Sequence, residues 1–275
     1  MKDNLSKWWS TWAPFWDLIE NRHFSTEVTD FIIDDLKSPV LVIGAGQGLI
    51  VRHLKEKGFT VTGLDINEQM IDIAKKKYGL EIVKGDARSL PFEANSFDTV
   101  IISSGVVDYG ADEETIKLMI NEAKRVLKGG RNLYAAFYQL TPKIENIYRQ
   151  IGVIDSDNVY RMQRIFEIDR ISSINPLHCL IPIKKWTKKS VFEIIIYWTK
   201  LGLNFPQELK SERNKFKHIV KLGKPLGITK NDLLESIPDR IPYRTKEEIE
   251  SLINRLDFKF ERIRKFDDCV VVQII

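Results

Sequence analysis

A glycine-rich turn that follows a short apolar run constrains the fold of this chain more than any other feature. Residues 40–43 are Val-Leu-Val-Ile, which is typical of a buried parallel strand. Gly44, Gly46 and Gly48 follow, and an amphipathic segment with helical spacing begins at Leu49. Glycine lets the chain turn sharply and leaves backbone N–H groups open to a ligand. The sequence therefore predicts a strand, a ligand-binding turn and a helix, in that order.

An acidic residue stands at the end of the next apolar run. Asp65 lies 21 residues after Gly44 and directly follows the run 59–64. An acid at the tip of the second strand is where the hydroxyl pair of a ribose is held. The G-x-G-x-G spacing differs from the G-x-G-x-x-G of dinucleotide enzymes, and no Lys-Ser/Thr pair follows, which excludes a phosphate-binding P-loop. We expect a small molecule that contains a nucleoside.

Three later segments complete an ordered set of motifs. They are Gly-Asp-Ala-Arg-Ser-Leu-Pro-Phe at 85–92, Phe-Asp-Thr-Val-Ile-Ile-Ser at 97–103 and Glu-Ala-Lys-Arg-Val-Leu-Lys-Gly-Gly at 122–130. With the glycine turn, this set resembles the class I S-adenosylmethionine-dependent methyltransferases that act on small molecules. The resemblance covers residues 35–138 and, more weakly, 245–275. It implies an α/β fold with a Rossmann-like, mostly parallel sheet, a terminal antiparallel hairpin and helices on both faces.

The resemblance also implies which residues bind the cofactor, S-adenosylmethionine. All of them follow predicted strands: Gly44, Ala45, Gly46, Gly48, Asp65, Ile66, Asp86, Ala87 and Ser103. The glycines would wrap the methionine part of the cofactor. Asp65 would accept hydrogen bonds from both ribose hydroxyls, and Ile66 would pack on the adenine. Asp86 would face the adenine amino group beside the Ala87 amide, and the Ser103 backbone would lie near the amino group of the cofactor.

One departure from the family pattern lies within the first strand. Val42 stands where the family commonly has an acid, two residues before the first glycine. The corresponding contact to the methionine end is therefore absent or replaced. This departure leaves open a non-catalytic protein that binds S-adenosylmethionine, although Asp65 and Asp86 favour an enzyme.

The alternation of predicted strands and helices divides the chain into four parts. These are an N-terminal helical segment at 1–36, the cofactor-binding core at 37–138, an inserted helical cap at 139–244, and a C-terminal helix and β-hairpin at 245–275. Seven of the ten prolines fall in the insertion, so its helices should be short. Because it leaves the fifth strand at the carboxyl edge of the sheet, we expect it to cover the cofactor and line a substrate pocket.

The first sixteen residues hold four tryptophans. Trp8, Trp12 and Trp16 are spaced four apart, which places them on one face of a helix predicted from Trp8 to Ile19. A second helix is predicted from Thr26 to Leu36. The tryptophan stripe docks the N-terminal helix on the core, walls the substrate site, or does both.

Positive charge is concentrated in the insertion. Residues 140–244 hold 19 basic and 11 acidic side chains, with the densest clusters at 184–189 and 213–217. Four explanations remain open: solvated helix faces, steering of an anionic substrate, an RNA surface, or docking to an anionic membrane with a lipid-like substrate. Nucleic acid is the least favoured partner, because the chain shows no RNA-binding module and its formal net charge is +4.

The resemblance implies methyl transfer to a small-molecule acceptor, with an RNA acceptor as the alternative. A general base is needed only for a protonated acceptor, and the candidates are Tyr109, His178 and Tyr138, each of which has a packing role as its alternative. No apolar leader is visible, and the longest apolar stretch, 191–198, is too short to span a bilayer. With only two cysteines, the sequence favours a cytoplasmic protein.

Overall fold

The computed structural model describes most of the chain outside the central part of the insertion. The described residues are 2–18, 26–108, 111–138, 145, 149, 154–160, 215–237, 241–266 and 269–275. Of the sequence predictions, those on Tyr109, His178 and the cluster at 184–189 lie outside these residues. The assignment of residues 139–244 to a cap also stays a prediction.

A seven-stranded sheet forms the centre of the molecule, in the order β3-β2-β1-β4-β5-β9-β8. Five strands, β1 to β5, are mutually parallel, and β9 runs antiparallel to both of its neighbours. The strands are β1 (Val40–Ile43), β2 (Val61–Asp65), β3 (Ile82–Lys84), β4 (Phe97–Ile102), β5 (Leu127–Tyr138), β8 (Phe260–Lys265) and β9 (Cys269–Ile274). The predicted fold class is confirmed, including the terminal hairpin.

Helices cover both faces of the sheet. Their bounds are α1 (Lys2–Trp12), α2 (Thr26–Ile32), α3 (Leu49–Glu56), α4 (Glu68–Tyr78), α5 (Glu113–Val126), α6 (Lys230–Ser236) and α7 (Lys246–Arg255). Four begin at side-chain caps, because Asn67, Asp112, Thr229 and Thr245 each accept a hydrogen bond from the backbone N–H three residues on. These caps satisfy helix donors that lack an intrahelical partner.

Side chains of alternate residues in the central strands point to opposite faces of the sheet and belong to two separate hydrophobic cores. Leu41 and Ile43 pack with α5 and α7 on one face, whereas Val40 and Val42 pack with α2 and α3 on the other. All four side chains are essentially inaccessible to solvent. Since both faces are covered, β1 and β4 read as continuous apolar runs, which is why the sequence indicated buried parallel strands.

Two details differ from the sequence prediction. The first predicted helix starts earlier, at Lys2, and ends at Trp12, where a 3₁₀ helix from Ala13 to Leu18 replaces it. Pro14 explains the change, because proline cannot donate the backbone hydrogen bond and clashes with the preceding helical turn. The insertion is also not purely helical, since β6 (Val159–Tyr160) pairs antiparallel with β7 (Ile241–Pro242).

A polar network fastens the two ends of the insertion to each other and to α7. Asn158 accepts a hydrogen bond from Arg149 (Nη1 to Oδ1, 2.7 Å) and donates one to Glu248. The hydroxyl of Tyr243 donates to Glu145 at 2.9 Å. The chain therefore leaves and re-enters the core at one place. Among the described helices, none is long and apolar enough to cross a membrane.

Candidate active site

The glycine turn lies at the carboxyl edge of the sheet, between β1 and β2. The amides of Gly44 and Ala45 both donate to the carbonyl of Leu64, at 2.8 and 2.9 Å. Gly44 has a φ of +74°, and a β-carbon there would lie 2.2 Å from Cγ2 of Val106 in the loop after β4. Glycine is thus required at this position both by the backbone conformation and by close packing.

Asp65 ends β2 and turns its carboxylate toward the glycine turn. Its Oδ2 accepts the Gly46 amide at 2.7 Å and its Oδ1 accepts the Asn67 amide at 2.8 Å. Burial raises the pKa of Asp65, while these backbone hydrogen bonds act in the opposite direction. An ionised carboxylate offers about four acceptor positions, so Asp65 keeps capacity for ligand hydroxyls.

The surroundings of Asp65 fit a nucleoside cofactor. A β-carbon added at Gly46 would meet no atom within 4 Å, so the turn is open on that side. Ile66 is 60% exposed, which presents an apolar surface next to the carboxylate. Within the described part of the chain, Ser103 Oγ and Gln47 Oε1 are buried atoms that lack a hydrogen-bond partner. An open turn, an exposed apolar side chain and unsatisfied polar atoms at one edge suit S-adenosylmethionine.

Asp86 lies at the same edge but is already engaged. Its Oδ1 accepts hydrogen bonds from the backbone N–H and the Nε of Arg88, both at 2.9 Å. Oδ2 also faces this guanidinium. Ala87 is buried beside it. The adenine contact predicted for Asp86 and Ala87 stays a prediction, and Arg88 is a neighbour of that contact which the motif did not indicate.

The loop after β4 holds a buried acid, Asp108, next to the predicted candidate Tyr138. Oδ2 of Asp108 accepts the amides of Gly105 at 3.1 Å and Tyr138 at 2.8 Å. Burial raises the pKa of Asp108 to about 6, and the positive charge of Arg244 opposes that shift. The Tyr138 side chain is itself buried. Asp108 therefore joins the loop after β4 to the end of β5, where the insertion begins.

The N-terminal segment lies against the same edge of the sheet. Gln47, in the glycine turn, donates from Nε2 to the carbonyl of Ala13 at 2.8 Å. Asn67 donates from Nδ2 to Ser10 Oγ at 3.0 Å. Trp8, Trp9 and Trp16 form an aromatic cluster on this segment, with ring centroids 4.4 to 6.4 Å apart. These two polar contacts had no signal in the sequence, because each joins residues far apart along the chain.

Comparisons with known proteins agree with this geometry. Residues 40–130 match the family described as "Methyltransferase domain". A demethylmenaquinone methyltransferase from Thermotoga maritima is 33% identical over 104 residues, covering 37% of this chain and 44% of the relative. A ubiquinone/menaquinone biosynthesis C-methyltransferase from Wigglesworthia glossinidia brevipalpis is 29% identical over 152 residues, covering 48% and 59%. The chain spans about half the length of these curated relatives.

A solved structure extends the likeness beyond the matched motifs. A SAM-dependent methyltransferase from Methanosarcina mazei superposes with a TM-score of 0.52 at 18% identity, covering 89% of this chain and 95% of that one. At this identity the likeness concerns the fold alone. The sheet order, the glycine turn with Asp65 and the matched residues 40–130 identify a class I S-adenosylmethionine-dependent methyltransferase domain in this chain.

Proposed function

We propose that this chain transfers a methyl group from S-adenosylmethionine to a small-molecule acceptor bound beside the N-terminal segment. The observation that carries the proposal is the pair of contacts from Gln47 to Ala13 and from Asn67 to Ser10. They hold an aromatic segment over the edge where the open glycine turn and Asp65 would bind the cofactor. A wall of this kind excludes water and encloses a small acceptor.

The cofactor supplies a methyl group activated by a positively charged sulfur. The chain's own residues then have to bind, orient and shield. Asp65 would hold the ribose, the turn at Gly46 would admit the methionine part, and the aromatic segment would favour the cationic sulfur. Holding donor and acceptor in contact contributes roughly 7–11 kcal/mol to lowering the barrier of such a two-partner reaction.

An acceptor of quinone type agrees best with the comparisons. The name demethylmenaquinone methyltransferase gives one relative a quinone precursor as its substrate. A small apolar ring system would suit the tryptophan cluster of the N-terminal segment. The RNA alternative rests on the clusters at 184–189 and 213–217, of which only residues 215–217 are described.

The cofactor assignment is tested by changing Asp65 to an isosteric neutral residue. Asp65→Asn removes the charge that would accept the ribose hydroxyls, a contribution of about 1.5–3 kcal/mol. We expect S-adenosylmethionine to bind roughly 10- to 150-fold more weakly to the variant in isothermal titration calorimetry. Asp72→Asn, at an exposed acid on α4, is the matched control and should bind as the wild type does. Equal affinity in the Asp65 variant, or binding of NAD in place of S-adenosylmethionine, contradicts the assignment.

The acceptor class is tested with methyl-labelled S-adenosylmethionine. Demethylmenaquinone and total RNA are offered in parallel, and label is counted in the organic extract and in the nucleic acid. Label in the organic extract supports the proposal. Label in RNA supports the alternative, and cofactor binding without transfer to either acceptor contradicts the quinone-type assignment.

A further inference from the structure

A basic, leucine-bearing surface lies on the C-terminal part of the insertion. Residues 215–231 contain five lysines and no aspartate or glutamate. Residues 215–223 are helical, and a 3₁₀ turn at Lys224–Leu226 follows. We call this the basic leucine surface, and it consists of Lys217, Lys221, Leu222, Lys224 and Leu226.

The helix divides its side chains into an inner and an outer face. Phe216 and Ile219 point inward, with 4% and 3% of their surface exposed. Lys217 and Lys221 occupy the opposite face, and Leu222 lies at the boundary between the two faces. Core packing thus accounts for the inner residues and leaves the outer ones without a structural role.

Two large apolar side chains on this surface face solvent. Leu222 is 40% exposed and Leu226 is 57% exposed, one turn apart. Exposed leucines scattered singly are common, but two together beside unpaired cations are a recognition feature. Lys217, Lys221 and Lys224 have no carboxylate within ion-pairing distance in the described part of the chain.

This combination matches the surface of an anionic bilayer. Leucines enter the boundary between headgroups and acyl chains, while the lysines around them contact anionic headgroups. A nucleic-acid backbone would use the lysines alone and would leave the two leucines in water. The exposed leucines therefore favour lipid over RNA.

The basic leucine surface adjoins the N-terminal segment. The ring of Trp12 stacks on Phe216 with centroids 6.2 Å apart. A β-carbon at Gly223 would lie 3.5 Å from Cζ of Phe15. The same segment contacts the glycine turn through Gln47. A bilayer bound at this surface would thus be separated from the cofactor edge by the helix at 215–223 and the N-terminal segment, which are packed together.

We propose that the basic leucine surface docks this protein on an anionic bilayer. The docking itself does not depend on catalysis. Its consequence, that the acceptor is an apolar molecule dissolved in the bilayer, rests on the proposed function. Docking would hold the aromatic segment close to the bilayer in which such an acceptor is dissolved.

Co-sedimentation with vesicles tests the docking without cofactor or acceptor. We expect the wild type to bind vesicles of equal parts phosphatidylglycerol and phosphatidylcholine, and not vesicles of phosphatidylcholine alone. Replacing Lys217, Lys221 and Lys224 together by Gln should lower partitioning by about 100-fold, at about fivefold for each lysine. Leu222→Ser with Leu226→Ser should lower it by at least about tenfold, because less apolar surface is buried.

Matched control variants separate this surface from general charge and apolarity. Lys75, Lys76 and Lys77 are three exposed lysines on α4, and their joint change to Gln should leave vesicle binding unchanged. Leu118, 48% exposed on α5, serves the same purpose for Leu118→Ser. Circular dichroism should show all variants folded, since every changed side chain is exposed.

Three results would overturn the docking proposal. They are absence of binding to the anionic vesicles, equal losses in the control variants, and binding to a single-stranded RNA that the lysine variant loses but the leucine variant keeps. Cofactor titration of the same proteins keeps the two proposals apart. Vesicle binding without cofactor binding would refute the proposed function alone, and the reverse would refute docking alone.

Discussion

Gly46 is the residue on which the shape of the cofactor edge most depends. Its φ is +53°, its amide donates to Asp65, and the space beside its α-carbon is open. The neighbouring Gly44 is confined by Val106, so the two glycines have different tasks. Gly44 permits close packing, and Gly46 leaves room for a ligand.

This difference yields a prediction with an internal control. Gly46→Ala and Gly58→Ala place a methyl group at a positive φ with no atom within 4 Å, so each should cost about 1–2 kcal/mol of unfolding free energy. Only the methyl at Gly46 would project into the proposed cofactor site. We expect urea unfolding to show similar losses and calorimetry to show at least tenfold weaker S-adenosylmethionine binding for Gly46→Ala alone. Equal cofactor affinity in the two variants would argue against a cofactor at this turn.

Residues whose role depends on local spacing could be predicted from the sequence. The turn at Gly44 and the acid at Asp65 belong to this group, since strand, turn and helix follow one another directly. Gln47 and Arg88 do not. The partner of Gln47 is Ala13, 34 residues away, and that contact exists only after the N-terminal segment has packed. Arg88 lies beside a predicted residue, but nothing in its type indicated that it would engage Asp86.

At the scale of elements, the N-terminal segment contacts both α6 and the cofactor edge of the sheet. Trp12 donates from Nε1 to the carbonyl of Leu233 at 3.2 Å and to Ser236 Oγ at 3.1 Å. Gln47 and Asn67 hold the segment at the cofactor edge. Trp12 thus docks the N-terminal helix on α6 of the insertion, and the two sequence hypotheses for the tryptophan stripe, docking on the core and walling the substrate site, stay predictions.

Removing the indole donor should loosen α6 and leave the sheet intact. Trp12→Phe keeps an aromatic ring but removes the two indole hydrogen bonds, each a contribution of about 0.5–1.5 kcal/mol, while the Ser236 hydroxyl still donates to the Leu233 carbonyl. We expect faster hydrogen exchange at residues 230–237 and unchanged exchange in β9. Trp16→Phe, within the tryptophan cluster, is the control and should leave exchange at 230–237 unchanged. Identical exchange in the two variants would show that the Trp12 hydrogen bonds do not hold α6.

Element boundaries were predicted well where a cap fixes them. Thr245 starts α7 at the first residue of the predicted C-terminal segment, because a cap acts within four residues. The predicted end of the first helix, Ile19, was wrong. The amphipathic spacing of the tryptophans continues past Pro14, the residue that breaks the helix. The short pair β6 and β7 joins residues about 80 apart and carries no local pattern.

At the scale of the whole molecule, Asp108 makes stability depend on pH. Burial raises its pKa from 3.8 to about 6, so between these values the folded state holds a proton that the unfolded state has released. The stabilisation is complete below pH 3.8 and is lost as the pH rises through about 6. A shift of this size corresponds to about 3 kcal/mol.

Asp108→Asn should remove this dependence. The unfolding free energy of the wild type minus that of the variant should fall by about 2.4 kcal/mol between pH 4 and 7. Urea unfolding at four pH values across this range measures it. The same difference for Asp72→Asn, an exposed acid, should stay constant. A constant difference for Asp108→Asn would mean that its carboxyl is not buried as described.

The sheet and both of its helical layers followed from the sequence, because the central strands read as apolar runs, the helices carry their own period, and the ordered motifs resemble a known family. The contacts within the insertion could not be predicted from the sequence in the same detail. Its two ends are held by the network around Asn158 and Glu248, whose members come from three separate stretches of the chain. Such a network depends on the finished fold, so no single stretch predicts it.

The order of the strands also determines which two strands form the edges of the sheet, where a second copy of the protein could pair. The sheet ends on β3, which has three residues, and on β8, which carries Glu261, Arg262, Arg264 and Lys265. A short edge offers few backbone groups to an incoming strand, and a charged edge repels a second copy of itself. Edge-to-edge aggregation is therefore disfavoured at both ends of the sheet. This would hold even at the high local concentration that docking on a membrane produces.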